Sequence, residues 1–148
     1  ILFGMVHILI VESRFYEDIA DAMLKGATAE FGSQDATFEV VTVPGAFEIP
    51  AAIRFALAEA PKKYDGFLAL GCVIRGETSH YDYVCGESAR GLTMLALEYG
   101  AAIGYGILTC ENMAQAWERA DIARGNKGAE AAAACLRMVE LREHFRAI

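Results

Sequence analysis

The chain has 148 residues, 55% of them hydrophobic and 22% charged, with thirteen basic against twenty acidic side chains for a net charge of −7. That length predicts one domain spanning 1–148, long enough to bury most of its apolar surface, and the composition excludes a disordered polymer. The acidic balance excludes non-specific nucleic-acid binding through a broad basic face, so an anionic substrate has to be met by local cations.

The chain opens on Ile1 rather than Met, so native residues are expected ahead of it. Its first stretch, ILFGMVHILIV (1–11), superficially resembles a secretion signal. With no basic leader and no A-x-A site it is not expected to act as one, and no run reaches the ~18 apolar residues of a membrane span. The segment 6–11 (VHILIV) predicts the first strand, and 17–31 a helix with acids in its first turn and Ile19, Met23 and Ala27 four apart. A second strand follows at 38–43 (FEVVTV), then a helix over 49–59 with Pro50 in its first turn. The third strand is 66–73 (GFLALGCV), followed by a helix over 83–99, and the fourth is 103–108 (IGYGIL). Helices at 113–119 and, rich in alanine, at 127–145 close the chain.

The four strands show little polar alternation, the pattern of strands covered on both faces of a parallel sheet. Alternation with helices makes right-handed βαβ units. The expected fold is α/β: a flavodoxin-like three-layer sandwich with a four-stranded parallel sheet and helices on both faces. No repeat, low-complexity tract or linker interrupts it. Cys72, Cys85, Cys110 and Cys135 form no C-x-x-C pair and no metal-ligand spacing with the three histidines. Free thiols in a reducing cytoplasm are expected, with no metal site. The high apolar fraction also predicts surface covered by neighbouring subunits.

Open α/β sheets bind ligands outside the carboxyl ends of their strands. Here those ends read ESRF (12–15), VPGAFEIP (43–50), GCVIRGETSHYDYV (71–84) and TCEN (109–112). Phe15 and Phe47 each follow a strand beside charged or glycine residues, and suit a platform for a flat ring. Glu48 opens a helix, where its charge favours the dipole. In the third loop Gly76 allows close backbone approach. Thr78, Ser79 and the next amides precede a helix expected to start near Asp82, a ready anion site with Arg75 close by. His80 is the histidine placed in such a loop; His7 lies within a strand and His144 in the last helix. No G-x-G-x-x-G or Walker loop is present, which weakens dinucleotide and nucleoside triphosphate readings. Taken alone, Arg119 and Lys127 are two basic residues around a Gly-Asn turn.

VPGAFEIP, GCVIRGETSHYDYV and GNKG (125–128), in this order and spacing, resemble the 6,7-dimethyl-8-ribityllumazine synthase family of riboflavin biosynthesis, over about 6–145. The resemblance implies a cytoplasmic transferase, a homopentamer that in some members builds icosahedral shells, with active sites between neighbouring subunits. It implies condensation of 5-amino-6-(D-ribitylamino)uracil with 3,4-dihydroxy-2-butanone 4-phosphate, using no metal or organic cofactor and engaging neither nucleic acid nor membrane. Position by position, it implies ring stacking at Phe15 and a substrate loop at Ala46, Phe47 and Glu48, with Glu48 toward the ribityl chain. Cys72, Val73 and Ile74 would meet the pyrimidine through backbone groups. Glu77 and Thr78 would form the phosphate-binding turn, with proton transfer at His80. Arg119 would bind the phosphate and Lys127 would sit near ribityl chain and phosphate; Tyr105, a departure, stands where an aromatic Phe or Trp from the adjacent subunit is frequent. Glu130 falls where an aspartate pairs with the arginine. Tyr16 departs from the asparagine common after Arg-Phe, and DIA (121–123) from a Gly-Thr-Lys-like stretch tied to pentamer–pentamer contacts. The alternatives are a flavin- or lumazine-binding module without turnover, and a scaffold with vestigial loops.

Overall fold

In the computed structural model, which describes residues 5–148, the four apolar runs form one parallel sheet in the order β2-β1-β3-β4. Residues 1–4, part of the leader-like opening, lie outside the described residues. The strands are β1 (His7–Ser13), β2 (Thr37–Val43), β3 (Gly66–Ile74) and β4 (Ile103–Cys110). The helices are α1 (Glu17–Ser33), α2 (Ile49–Glu59), α3 (His80–Tyr99), α4 (Met113–Ala120) and α5 (Lys127–Arg146). A short 3₁₀ turn, Ala46–Glu48, leads into α2. This is the expected flavodoxin-like order, with a crossover helix between successive strands.

The period of two along each strand sends alternate side chains to opposite layers. Ile8, Ile10, Leu68, Leu70 and Leu108 pack against α1, α4 and α5. Leu9, Val11, Phe67, Ala69 and Ile107 pack against α2 and α3. β3 lies between β1 and β4 and is buried along most of its length, so each large apolar side chain there contributes roughly 1.5–3 kcal/mol.

β2 departs from the expectation of two covered faces. Among the described residues it sits at the sheet edge with β1 as its one strand partner, and Val41 is 41% exposed with Phe38 and Val40 close behind. An apolar run specifies a strand, but only overlying helices bury it, and the helical layers centre on β1, β3 and β4. A second difference is the start of α3, at His80 rather than Tyr83. Its first turn places no side chain in the core, and Val84 is its first buried residue, so apolar periodicity could not reveal that turn. Gly100, at φ 64°, ends the helix in the left-handed conformation that favours glycine.

The GNKG stretch owes its form to packing. Asn126 takes a left-handed φ of 47°, turning the chain into α5. A Cβ on Gly128 would stand 2.1 Å from the Met23 carbonyl oxygen, so α5 can seat against α1 only where no side chain intervenes.

Candidate active site

Three of the four strand-ending loops converge on one pocket of about 510 Å³. From β1 come Ser13, Phe15 and Tyr16; from the turn after β2 come Gly45, Ala46, Phe47 and Glu48; from β3 and the loop beyond it come Cys72, Val73, Ile74, Gly76, Thr78 and His80. Buried Ala46 anchors the second loop, which leaves Phe47 53% exposed at the rim. Phe15 is 76% exposed and touches Tyr16 edge-to-face at 4.9 Å between centroids. Two aromatic faces therefore stand open above a floor of backbone and small side chains, a surface suited to a flat heterocycle.

His80 lies in the first turn of α3, where its amide donates to Thr78 Oγ1 at 3.3 Å. The helix thus begins at the residue expected to move protons. His80 and Tyr81 of the helix's first turn line the pocket, and the positive end of a helix dipole favours an anion there. Gly76 and Thr78 line the pocket, whereas Glu77 between them is exposed and does not. Arg75 is also turned elsewhere. Its Nε donates to Glu111 at 2.8 Å and its Nη2 to Asp82 at 3.3 Å, and its guanidinium lies 4.3 Å from the centre of the Tyr81 ring. It ties the end of β3 to the start of α3 and the residue after β4, and is committed to those partners rather than to an anion in the pocket.

Cys72 forms part of the floor. Burial, with Cys110 adjacent, pushes its thiol up to about 12, so the group is a neutral wall and no nucleophile at ordinary pH. Burial and the nearby Cys72 raise the Tyr16 phenol as well. None of the four cysteines is in a disulfide.

Tyr105, Arg119 and Lys127 are gathered in a second hollow, of about 250 Å³, along the free edge of β4 and the start of α5. Thr109 and Glu130 line it too, and among the described residues none lines both pockets. Arg119 Nη1 donates to the Gln115 carbonyl of its own helix at 3.0 Å. Glu130, expected to pair with Arg119, pairs instead with Lys127 at 3.0 Å. The two are one helical turn apart on α5, which is the nearer partnership. Tyr105 holds Ser88 Oγ at 3.3 Å through its hydroxyl, and burial raises its phenol. A larger hollow, of about 980 Å³, runs along the end of α5 from Met5 and Asp65 to Phe145. It lies away from the strand-ending loops and gathers none of the expected residues.

Ser13, Gly45, Tyr81 and Val84 line the aromatic pocket without having been singled out from the sequence, and Tyr16 had been noted only as a departure. The available signal was position: Ser13 and Gly45 flank strand ends, and Tyr81 and Val84 lie within the loop-to-helix stretch 71–84.

Residues 5–143 match the family model described as 6,7-dimethyl-8-ribityllumazine synthase. The chain is 57% identical to 6,7-dimethyl-8-ribityllumazine synthase 1 of Rhizobium meliloti over 145 residues, covering 96% of this chain and 95% of the relative. It is 53% identical to the synthase 1 of Mesorhizobium japonicum, with 95% and 88% covered. With the 6,7-dimethyl-8-ribityllumazine synthase of Agrobacterium fabrum the identity is 54%, over 93% of this chain and 95% of the other. With likeness this close along nearly the whole length, on a sheet that brings the aromatic and imidazole loops to one rim, the chain belongs to the 6,7-dimethyl-8-ribityllumazine synthase family.

Proposed function

We propose that this chain condenses 5-amino-6-(D-ribitylamino)uracil with 3,4-dihydroxy-2-butanone 4-phosphate to 6,7-dimethyl-8-ribityllumazine, releasing phosphate and water, as a single-domain subunit of a cytoplasmic homopentamer. The observation that carries the reading is one pocket holding two open aromatic faces, a carboxylate and an imidazole at a helix start: Phe15, Phe47, Glu48 and His80. Phe15 stacks on the pyrimidine, and backbone groups of Cys72, Val73 and Ile74 meet its polar edge. Ala46 and Phe47 shape the substrate loop, and Glu48 accepts hydrogen bonds from the ribityl hydroxyls. The uracil amine attacks the ketone, and the carbinolamine loses water to an imine. Loss of the C3 proton then expels phosphate from C4, and the enol so formed becomes a new carbonyl at C3. The ribitylamino nitrogen closes the second ring onto it with loss of a second water. Each step moves protons, and an imidazole is the side chain whose ordinary range lies near neutrality, so His80 is the proton carrier. Holding both reactants in register removes a large entropic barrier, and this positioning is the greater part of the catalysis.

The departing phosphate needs charge. Thr78 and the amides of the His80 turn supply dipoles, with Glu77 at the same turn, but among the described residues no lysine or arginine lines that pocket. Arg119 and Lys127, with Tyr105, line the other hollow, at the free edge of β4. That division supports a site completed by a neighbouring subunit, whose Arg119 makes charge-assisted bonds to the phosphate, with Lys127 beside it. Exposed apolar side chains on α2 and α3, such as Phe55, Tyr83 and Leu97, support the same packing of subunits. No described helix is long and apolar enough to cross a membrane. Purified protein mixed with both substrates should form lumazine, seen by absorbance or fluorescence, faster than the uncatalysed mixture. No excess over that background would overturn the reading.

A further inference from the structure

We propose that Arg14 is a positioning residue for ring binding: it holds the turn that carries Phe15 and acts on the uracil substrate through that ring. The proposal rests on the reading that Phe15 stacks on the pyrimidine.

Phe15 is 76% exposed, and among the described residues its one ring neighbour is Tyr16, at 4.9 Å. So open a side chain has little packing to hold it in place. A stacking surface serves best when its plane is set before the ligand arrives, because ordering it on binding subtracts from affinity. The turn between β1 and α1 does little of this work through its backbone. Tyr16, at the start of α1, makes no side-chain cap, and its carbonyl accepts from the Ala20 amide at 2.9 Å as the helix begins.

Arg14 spans that turn with three carboxylates. Its Nη1 donates to Glu12 Oε1 at 2.8 Å, its Nε to Glu17 Oε2 at 3.0 Å, and its Nη2 to Asp21. Glu12 is only 4% exposed, and its other oxygen accepts from Thr42 Oγ1 of β2 at 3.0 Å. One end of the clamp is therefore fixed in the sheet, and the other in the first two turns of α1, with Phe15 between them. A planar guanidinium presents its donors from three nitrogens in a fixed fork, whereas the donors of an ammonium radiate from a single atom on a flexible stem. Glu17 and Asp21 are exposed, so their ion pairs add little to stability. Their effect falls on the angle at which Phe15 is presented.

The test is a double-mutant cycle. Arg14→Lys keeps a cation beside buried Glu12 while losing the fork. The pair Glu17→Gln, Asp21→Asn releases only the exposed arm, and remains informative if Arg14→Lys folds poorly. Each is made with and without Phe15→Ala. Steady-state kinetics for both substrates, fluorescence titration with the lumazine product, and melting temperature are measured. In the Phe15 background, both changes should raise KM for the uracil and weaken lumazine binding about five- to tenfold, with KM for the butanone phosphate within about twofold. The Glu17→Gln, Asp21→Asn protein should melt as the parent does. In the Phe15→Ala background the same changes should do nothing more. Losses that persist there, equal rises in both KM values, or a fall in melting temperature without a change in ring binding would overturn the role of Arg14. Phe15→Ala alone with parental uracil binding would instead overturn the stacking assignment, and the proposal with it.

Discussion

The pocket at Phe15, Phe47 and His80 is aromatic, floored by buried small side chains, and carries an imidazole but, among the described residues, no lysine or arginine. The hollow at Tyr105, Arg119 and Lys127 has two cations and, among the described residues, no histidine, and lies along a sheet edge. Each has what the other lacks. In a chain of net charge −7, two cations are set together on a surface away from the Phe15 and Phe47 rings. A phosphorylated substrate that must also exchange protons is served by neither hollow alone, and the proposed apposition of the two across a subunit boundary would supply both sets of groups.

The sharpest way to break one region while sparing the other is at the frame of the basic hollow. Gly128→Ala sets a methyl against the Met23 carbonyl, a backbone atom that cannot swing aside. It should cost about 3 kcal/mol, at the upper end for overpacking, in a denaturant or thermal melt. Use of the butanone phosphate should fall more than lumazine binding does. An unchanged melt would mean that α5 is not seated on α1 at this point.

Within the aromatic pocket, His80→Ala should lower kcat about 100-fold, the low end for a general acid–base group, with both KM values little changed. Wild-type turnover across about pH 6–8 would remove His80 from the proton transfers. Arg119→Ala should act on the other substrate, raising KM for the butanone phosphate about tenfold through loss of a charge-assisted bond. An equal effect on the uracil would make Arg119 a support of the fold or interface instead.

The smallest effect is on stability at alkaline pH. Burial pushes the Cys72 thiol from its ordinary 9.0 to about 12, so the folded state holds a proton that the unfolded chain releases near pH 9. The stability this confers is present in full below about pH 9 and is lost as pH rises toward 12. Denaturant midpoints should fall over that window, and fall less steeply in Cys72→Ala. A steeper fall in the variant would contradict a buried, neutral Cys72 in the pocket floor.

Much of this architecture could be read from the chain. The runs at 6–11, 38–43, 66–73 and 103–108 each became a strand, because an unbroken apolar stretch between helical patterns has few other places to go. Burial was less legible: β2 has the composition of an inner strand and lies at the edge, since layer coverage is a tertiary matter. Position at strand ends pointed to Phe15, Phe47 and His80 from physical argument alone. Arg119, Lys127 and Tyr105 stood out only through family resemblance, because two cations on helices and a tyrosine in a strand carry no local signal. Arg75 was expected beside an anion and is held by Glu111 and Asp82, acids 36 and 7 residues away that sequence order does not bring to mind. Glu130 illustrates the reverse, since its nearest cation along the helix, Lys127, won over the expected Arg119.

The central claim is that one working site draws on both regions from different subunits. Purified His80→Ala and Arg119→Ala proteins, each of low activity, are unfolded together, refolded as a mixture, and assayed for lumazine formation against each variant refolded alone. If the two residues serve one site from different chains, random co-assembly creates some sites carrying neither lesion. The mixture should then be more active than either parent. Activity that stays at the average of the two parents, in a mixture shown by mass to contain hybrid oligomers, would contradict it.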